Sequence, residues 1–138
     1  MRNKVIACIT QTSDSNIKFE ENRRKIIFLN QSRSSYLKVQ VDGCTLTSGS
    51  RCDNLLLSED EQEERYVELK GIDVMHAIDQ LEVTINKLGE CDRNRHSYVI
   101  CTNVAPTFTT AIQKKKMLFK SKYKSELVIR EKQHIVAL

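Results

Sequence analysis

No apolar run in this sequence approaches the ~20 residues that a helix needs to cross a bilayer, so no transmembrane helix is expected. Polar Thr10, Gln11 and Thr12 cut short the apolar stretch of Val5, Ile6, Ala7 and Ile9, which is too brief for a secretory signal. Proline occurs once and glycine four times, and with serine they nowhere collect into a linker. No internal repeat or low-complexity tract is present. A chain of 138 residues without a linker is expected to form a single domain over 1–138, large enough to bury a core. The five cysteines, at 8, 44, 52, 91 and 101, are odd in number and scattered. They make no disulfide framework and fit a reducing, cytoplasmic setting. Cys91, His96 and Cys101 match no zinc-ligand spacing, so no structural zinc is expected.

The hydrophobic fraction of 40% and charged fraction of 29% are those of a globular protein. The net charge of +4 is modest, but its distribution is uneven. Lys114, Lys115, Lys116, Lys120, Lys122 and Lys124 form one dense basic segment, whereas Glu59, Asp60, Glu61, Glu63 and Glu64 gather into an acidic one. A clustered basic surface suits a phosphate backbone, and a solvated helix face is the plainer alternative.

Apolar Phe19, Ile26, Ile27 and Leu29 among charged neighbours predict a helix over 19–29. Alternation at Tyr36, Leu37, Lys38, Val39, Gln40 and Val41 predicts a strand, with room to continue through Cys44 and Leu46. The turn signal at Ser48, Gly49 and Ser50 then returns 51–57 as the second arm of a hairpin. A third strand is expected over 65–70, ending at Gly71. Met75, Ile78, Leu81, Ile85 and Leu88 form one stripe of a helix over 72–88, with Asp73 as N-cap and Gly89 as terminator. A strand over 96–101 follows, then a helix over 107–124 introduced by Pro106, and one or two short strands in the tail. The fold class expected is α/β, a mixed central sheet with helices on both faces.

Side chains two apart on a strand share a face, so Tyr66, Glu68 and Lys70 fall together, as do Asp53, Leu55 and Leu57. If these strands are neighbours, Asp53 lies beside Glu68 with Lys70 one step away. Two carboxylates suit Mg²⁺ or Mn²⁺, hard cations that prefer oxygen ligands. A lysine beside them can orient or help deprotonate a water, or stabilise charge on a phosphoryl group. The competing reading pairs Asp53 with Arg51 or Arg65, and Glu68 with Lys70, as ion pairs. Arg93 and Arg95 are expected in a loop that touches DNA. The run Ser48-Gly49-Ser50-Arg51 reads as a turn before it reads as a phosphate loop, and His96 and His134 suggest nothing specific.

Asp53 followed by Glu68-Leu69-Lys70 resembles the D…(D/E)-x-K signature of the PD-(D/E)XK superfamily, the restriction-endonuclease-like nucleases. The predicted order from Phe19 to Cys101 is similar to that family's αβββαβ core. The resemblance implies metal binding by Asp53 and Glu68, catalysis by Lys70, and completion of the metal site by a first-helix glutamate, Glu20 or Glu21. It also implies a supporting position for Gln80, with His76 one turn away. Thr84 stands where the exonuclease branch has an aromatic residue, and Cys52 precedes Asp53 in place of proline. The expected function is Mg²⁺- or Mn²⁺-dependent hydrolysis of DNA, with Lys114, Lys115, Lys116 and Lys120 contacting the nucleic acid. A homodimer would serve cutting of two strands. The alternative is an inactive nucleic-acid-binding or protein-interaction module with the same fold.

Overall fold

The computed structural model describes residues 8–42, 53–71, 73–102 and 109–138, and for Lys70 the backbone alone. The proposed turn at residues 48–51, the extension through Cys44 and Leu46, and Pro106 lie outside the described residues.

Strands β1 (Ile9–Thr12), β4 (Tyr36–Gln40), β5 (Asn54–Ser58), β6 (Glu63–Lys70), β7 (Asn94–Cys101) and β8 (Ser125–Glu131) make a six-stranded sheet in the order β1-β4-β5-β6-β7-β8. The first four pair antiparallel; β6, β7 and β8 are mutually parallel. Parallel neighbours need crossover connections. Helix α1 (Val74–Leu88) lies between β6 and β7 in the chain, and α2 (Thr110–Lys122) between β7 and β8. A mixed α/β fold with a mixed sheet and two helices is thus present among the described residues.

Helix α1 keeps the caps read from its sequence. The Asp73 carboxylate accepts the His76 N–H at 2.9 Å, and Gly89 N–H donates to Ile85 O at 2.8 Å. Its stripe of Ile78, Leu81, Ile85 and Leu88 is buried against Leu55, Tyr66 and Val99 of the sheet. Helix α2 starts at the N-cap Thr109, whose hydroxyl accepts from Ile112 N–H at 3.2 Å, and buries Ile112 and Phe119 on the same side.

Residues 19–29 are not helical. Strands β2 (Asn16–Glu21) and β3 (Arg24–Leu29) form an antiparallel hairpin around Asn22 and Arg23, whose φ angles are +48° and +68°. Two adjacent left-handed residues suit a two-residue hairpin turn, whose twist matches that of the strands. Ile17, Phe19, Ile26 and Phe28 point inward and are buried, while Lys18 and Glu20 point out: a period of two, not 3.6. The tail strand β9 (Gln133–Ala137) adds parallel to β3 and completes a three-stranded sheet, β2-β3-β9.

This small sheet covers the face of the large sheet opposite the helices. Its Phe19, Ile26 and Phe28 pack with Leu56, Val67, Leu69, Tyr98 and Ile100. Phe28 meets Tyr98 edge-on at 5.5 Å between centroids. The layers are therefore helices, six strands, three strands. This corrects the expectation of helices on both faces and, among the described residues, removes the first helix of the αβββαβ order.

Candidate functional site

The β5–β6 register sets Asn54 against Val67 and Leu55 against Tyr66, so Asp53 falls opposite Glu68. Asp53 continues the sheet by one rung. Its carbonyl accepts the N–H groups of Val41 and Asp42 at 3.1 and 3.3 Å. Its own N–H donates to Glu68 Oε1 at 3.0 Å, and its Oδ2 accepts the Leu69 N–H at 2.7 Å. Each carboxylate is thus anchored by a backbone N–H from the other's strand. The pair stands at the carboxyl end of β6, the kind of end at which open sheets with parallel strands bind ligands.

Glu68 is 2% exposed, and Asp53 is half-buried. Burial raises the Asp53 pKa, and the charges of Glu21 and Asp42 push it in the same direction. The Leu69 N–H and a hydrogen bond with Glu68 oppose that rise. Negative charge therefore crowds the Asp53 carboxyl from Glu21 at the end of β2 and from Asp42 just beyond β4. Oxygen donors in a field of this sign suit a hard divalent cation, which relieves the repulsion. Among the described residues, no three His, Cys, Asp or Glu side chains converge as a ligand set.

The other expected site residues spread out. Lys70 ends β6, its backbone opposite Cys101 on β7. Glu21, at the end of β2, acts on Asp53 through its charge. Glu20, on a strand and not a helix, pairs with Lys18 at 3.4 Å. Glu20 lines a cleft of about 490 Å³ between the two sheets, with Lys18, Lys38, Gln40 and Asn54 on its walls. Lys38 is held there over the Phe19 ring, 4.9 Å from its centroid, and donates to Lys18 O at 3.0 Å. Gln80 is half-buried on α1, and His76 is exposed one turn earlier.

On α2, Lys114 and Lys120 are exposed and Lys116 is half-buried. Lys115 is committed elsewhere. Its ammonium binds Glu82, and Asp79 lies 3.6 Å away, which together raise its pKa.

Of the alternative ion pairs, Asp53 with Arg65 is not formed; Arg51 and the Lys70 side chain lie outside the described residues. Arg65 points to the small-sheet side, where it donates to Tyr98 OH at 2.7 Å and approaches Glu63 at 3.5 Å. Arg95 lies within β7, not in a loop, and its side chain is 9% exposed. It donates to Glu64 at 2.8 Å, to Tyr123 O and to Glu90 O, so its guanidinium is engaged within the protein. Cys91 is an exposed free thiol and Cys101 a buried one, at opposite ends of β7. Cys8 is disulfide-bonded, which a reducing setting does not lead one to expect.

One grouping has no counterpart in the sequence reading. Arg65, His96, Tyr98 and His134 line a crevice of about 350 Å³ between the sheets. Burial and the neighbouring Arg65 and Arg130 cations lower the pKa of His96 and His134 respectively. The alternation of His96 and Tyr98 on one strand is a local signal, but the approach of His134 depends on where β9 pairs.

Comparison with family models, curated proteins and solved structures finds no match for this chain. No helix among the described residues is long and apolar enough to cross a membrane. The class of molecule defined here is thus a mixed α/β protein with an acidic pair at the end of its main sheet.

Proposed function

We propose that this chain is a divalent-metal-dependent nuclease of the PD-(D/E)XK type, hydrolysing phosphodiester bonds in DNA. The observation that carries the reading is the meeting of Asp53 and Glu68 across β5 and β6, each fixed by a backbone N–H, with Glu21 and Asp42 adding negative charge at Asp53. These carboxylates would hold Mg²⁺ or Mn²⁺ with water completing the shell. A bound ion of this kind lowers the pKa of a water and offsets charge on a phosphoryl oxygen. Asp53 and Glu68 keep that position rigid because strand backbone anchors both. Lys70, two residues beyond Glu68, is the group assigned to orient the attacking water or stabilise the transition state. Glu21 contributes charge and not a ligand in this reading. Cutting both strands of a duplex would use two copies in a symmetric dimer. The reading sets the protein in the cytoplasm, where its Cys8 disulfide would have to persist.

The second reading is a binding module without catalysis. It is favoured by one observation: the two carboxylates also close the ends of the β5–β6 ladder, a structural task that needs no metal. Incubation with supercoiled, linear and branched DNA in Mg²⁺, Mn²⁺ and EDTA separates the two. Metal-dependent cutting that Asp53→Asn and Lys70→Ala abolish supports the nuclease. Absence of cutting on all three substrates leaves the module.

A further inference from the structure

The basic segment is not one uniform surface. Lys115 is neutralised by Glu82 and Asp79 on α1. Lys116, Lys120 and Lys124 instead line one groove of about 510 Å³ between α2 and β8, with Ser125, Glu126 and Leu127 completing it. Among the described residues no carboxylate lies in ion-pair range of these three ammonium groups; Lys124 alone has an acceptor, Ser121 O at 2.9 Å. Glu126, the one acidic wall, faces His96 at 3.9 Å.

Lys116 and Lys120 are four residues apart on α2, and Lys124 follows at the turn into β8, where its φ of +52° reverses the chain. A four-residue step advances ~6 Å along a helix axis. Lys116 and Lys120 are therefore spaced like phosphates along an extended strand, and Lys124 lines the same groove beyond the end of α2. The groove lies beside the outermost strand of the large sheet, so no neighbouring strand walls it off. It opens at the amino end of β8, where Ser125 pairs with Arg95 and Arg95 with Glu64, the end of the parallel strands away from Asp53 and Glu68.

We propose that this groove is a track for the phosphate backbone of a single nucleic-acid strand, gripped by Lys116, Lys120 and Lys124. The proposal rests on the nucleic-acid reading above but not on catalysis. Its contacts are with phosphate, so binding is independent of sequence and weakens with salt. Lys114 and Lys115 contribute little, Lys115 because α1 already holds it.

The test is fluorescence anisotropy of a labelled mixed-sequence single strand, in EDTA, across a salt series. Lys116→Ala/Lys120→Ala/Lys124→Ala should bind roughly tenfold or more weakly at 0.1 M salt, and the slope of log affinity against log salt should flatten by about 2. Lys114→Ala/Lys115→Ala should keep both affinity and slope close to wild type. Unchanged melting temperature in the triple variant establishes that the loss is of contact. The proposal is overturned if the triple variant binds like wild type, or if the Lys114 and Lys115 variant loses as much. It is also overturned if wild type binds anionic vesicles or an acidic peptide but no nucleic acid. Lysine-dependent binding without cleavage in any metal supports the track and ends the nuclease reading.

Discussion

Asp53 carries the most specific expectation at the scale of single residues. Its pKa is raised chiefly by burial, with Glu21 and Asp42 adding to the rise. A carboxyl raised in this way favours the fold fully below its unfolded value, and that contribution is lost as pH rises through the folded value. At neutral pH the ionised form therefore opposes folding. Asp53→Asn keeps an oxygen for the Leu69 N–H and removes the charge. In metal-free buffer at pH 7 it should melt about 2–4 °C higher than wild type, the scale of a ~1 kcal/mol change in a domain of this size. The advantage should shrink as pH falls toward 4. Mg²⁺ or Mn²⁺ should raise the melting temperature of wild type and leave the variant unmoved. An equal metal-induced rise in both would place the cation elsewhere. Lys70→Ala makes a separate point: it should lose cleavage with little change in DNA affinity, as expected of a group acting only in the transition state. Single-turnover rates alongside equilibrium binding decide this.

Elements differ in how far their sequence alone reveals them. The pairing of Asp53 with Glu68 was legible because antiparallel strands alternate strictly. With 51–57 and 65–70 as neighbours, alternation gives each carboxylate its face, and the register sets both at one rung. Helix α1 was equally legible from its stripe and from Asp73 and Gly89. The β2–β3 hairpin was not. Charged residues from Glu20 to Lys25 flank its turn, and Phe19, Ile26 and Ile27 can be drawn on a helical face as readily as on two strands. The usable signals were the Ile17/Phe19 and Ile26/Phe28 alternation and Asn22, a residue that tolerates positive φ. Arg23 at φ +68° is a poor occupant of its position. Arg23→Gly should therefore stabilise the protein by up to about 1 kcal/mol, measured by denaturant unfolding. A loss of stability would contradict the turn geometry.

Long-range contacts set what remains at the scale of the whole molecule. β3 and β9 are separated by most of the chain, so no local pattern announces the second sheet. Likewise nothing near Arg95 foretells that Glu64, on the neighbouring strand, will bury it. That pair is surrounded by hydrogen bonds from Tyr66 and Glu90 N–H to Glu64, and from Arg95 to two carbonyls. Breaking it by Arg95→Ala should cost about 3–5 kcal/mol, because an uncompensated charge stays buried. Denaturant unfolding of this variant should show the loss without a shift in metal response. The crevice between the sheets adds a dependence on pH. His96 and His134 have lowered pKa values, so their contribution is present above the unfolded value near 6.5 and is lost as pH falls below it. His96→Gln/His134→Gln should flatten the decline in stability between about pH 6.5 and 5.

The claim that joins these scales is that the anchored carboxylates of β5 and β6 form one cation site. Calorimetric titration with Mn²⁺ of wild type, Asp53→Asn and Glu68→Gln, together with anomalous scattering from a Mn²⁺-soaked crystal, tests it most directly. Saturable binding in wild type, loss of binding in both variants, and an anomalous peak within coordination distance of Asp53 and Glu68 oxygens are the expected results. Binding that survives both substitutions, or a peak at any other group of residues, would contradict it.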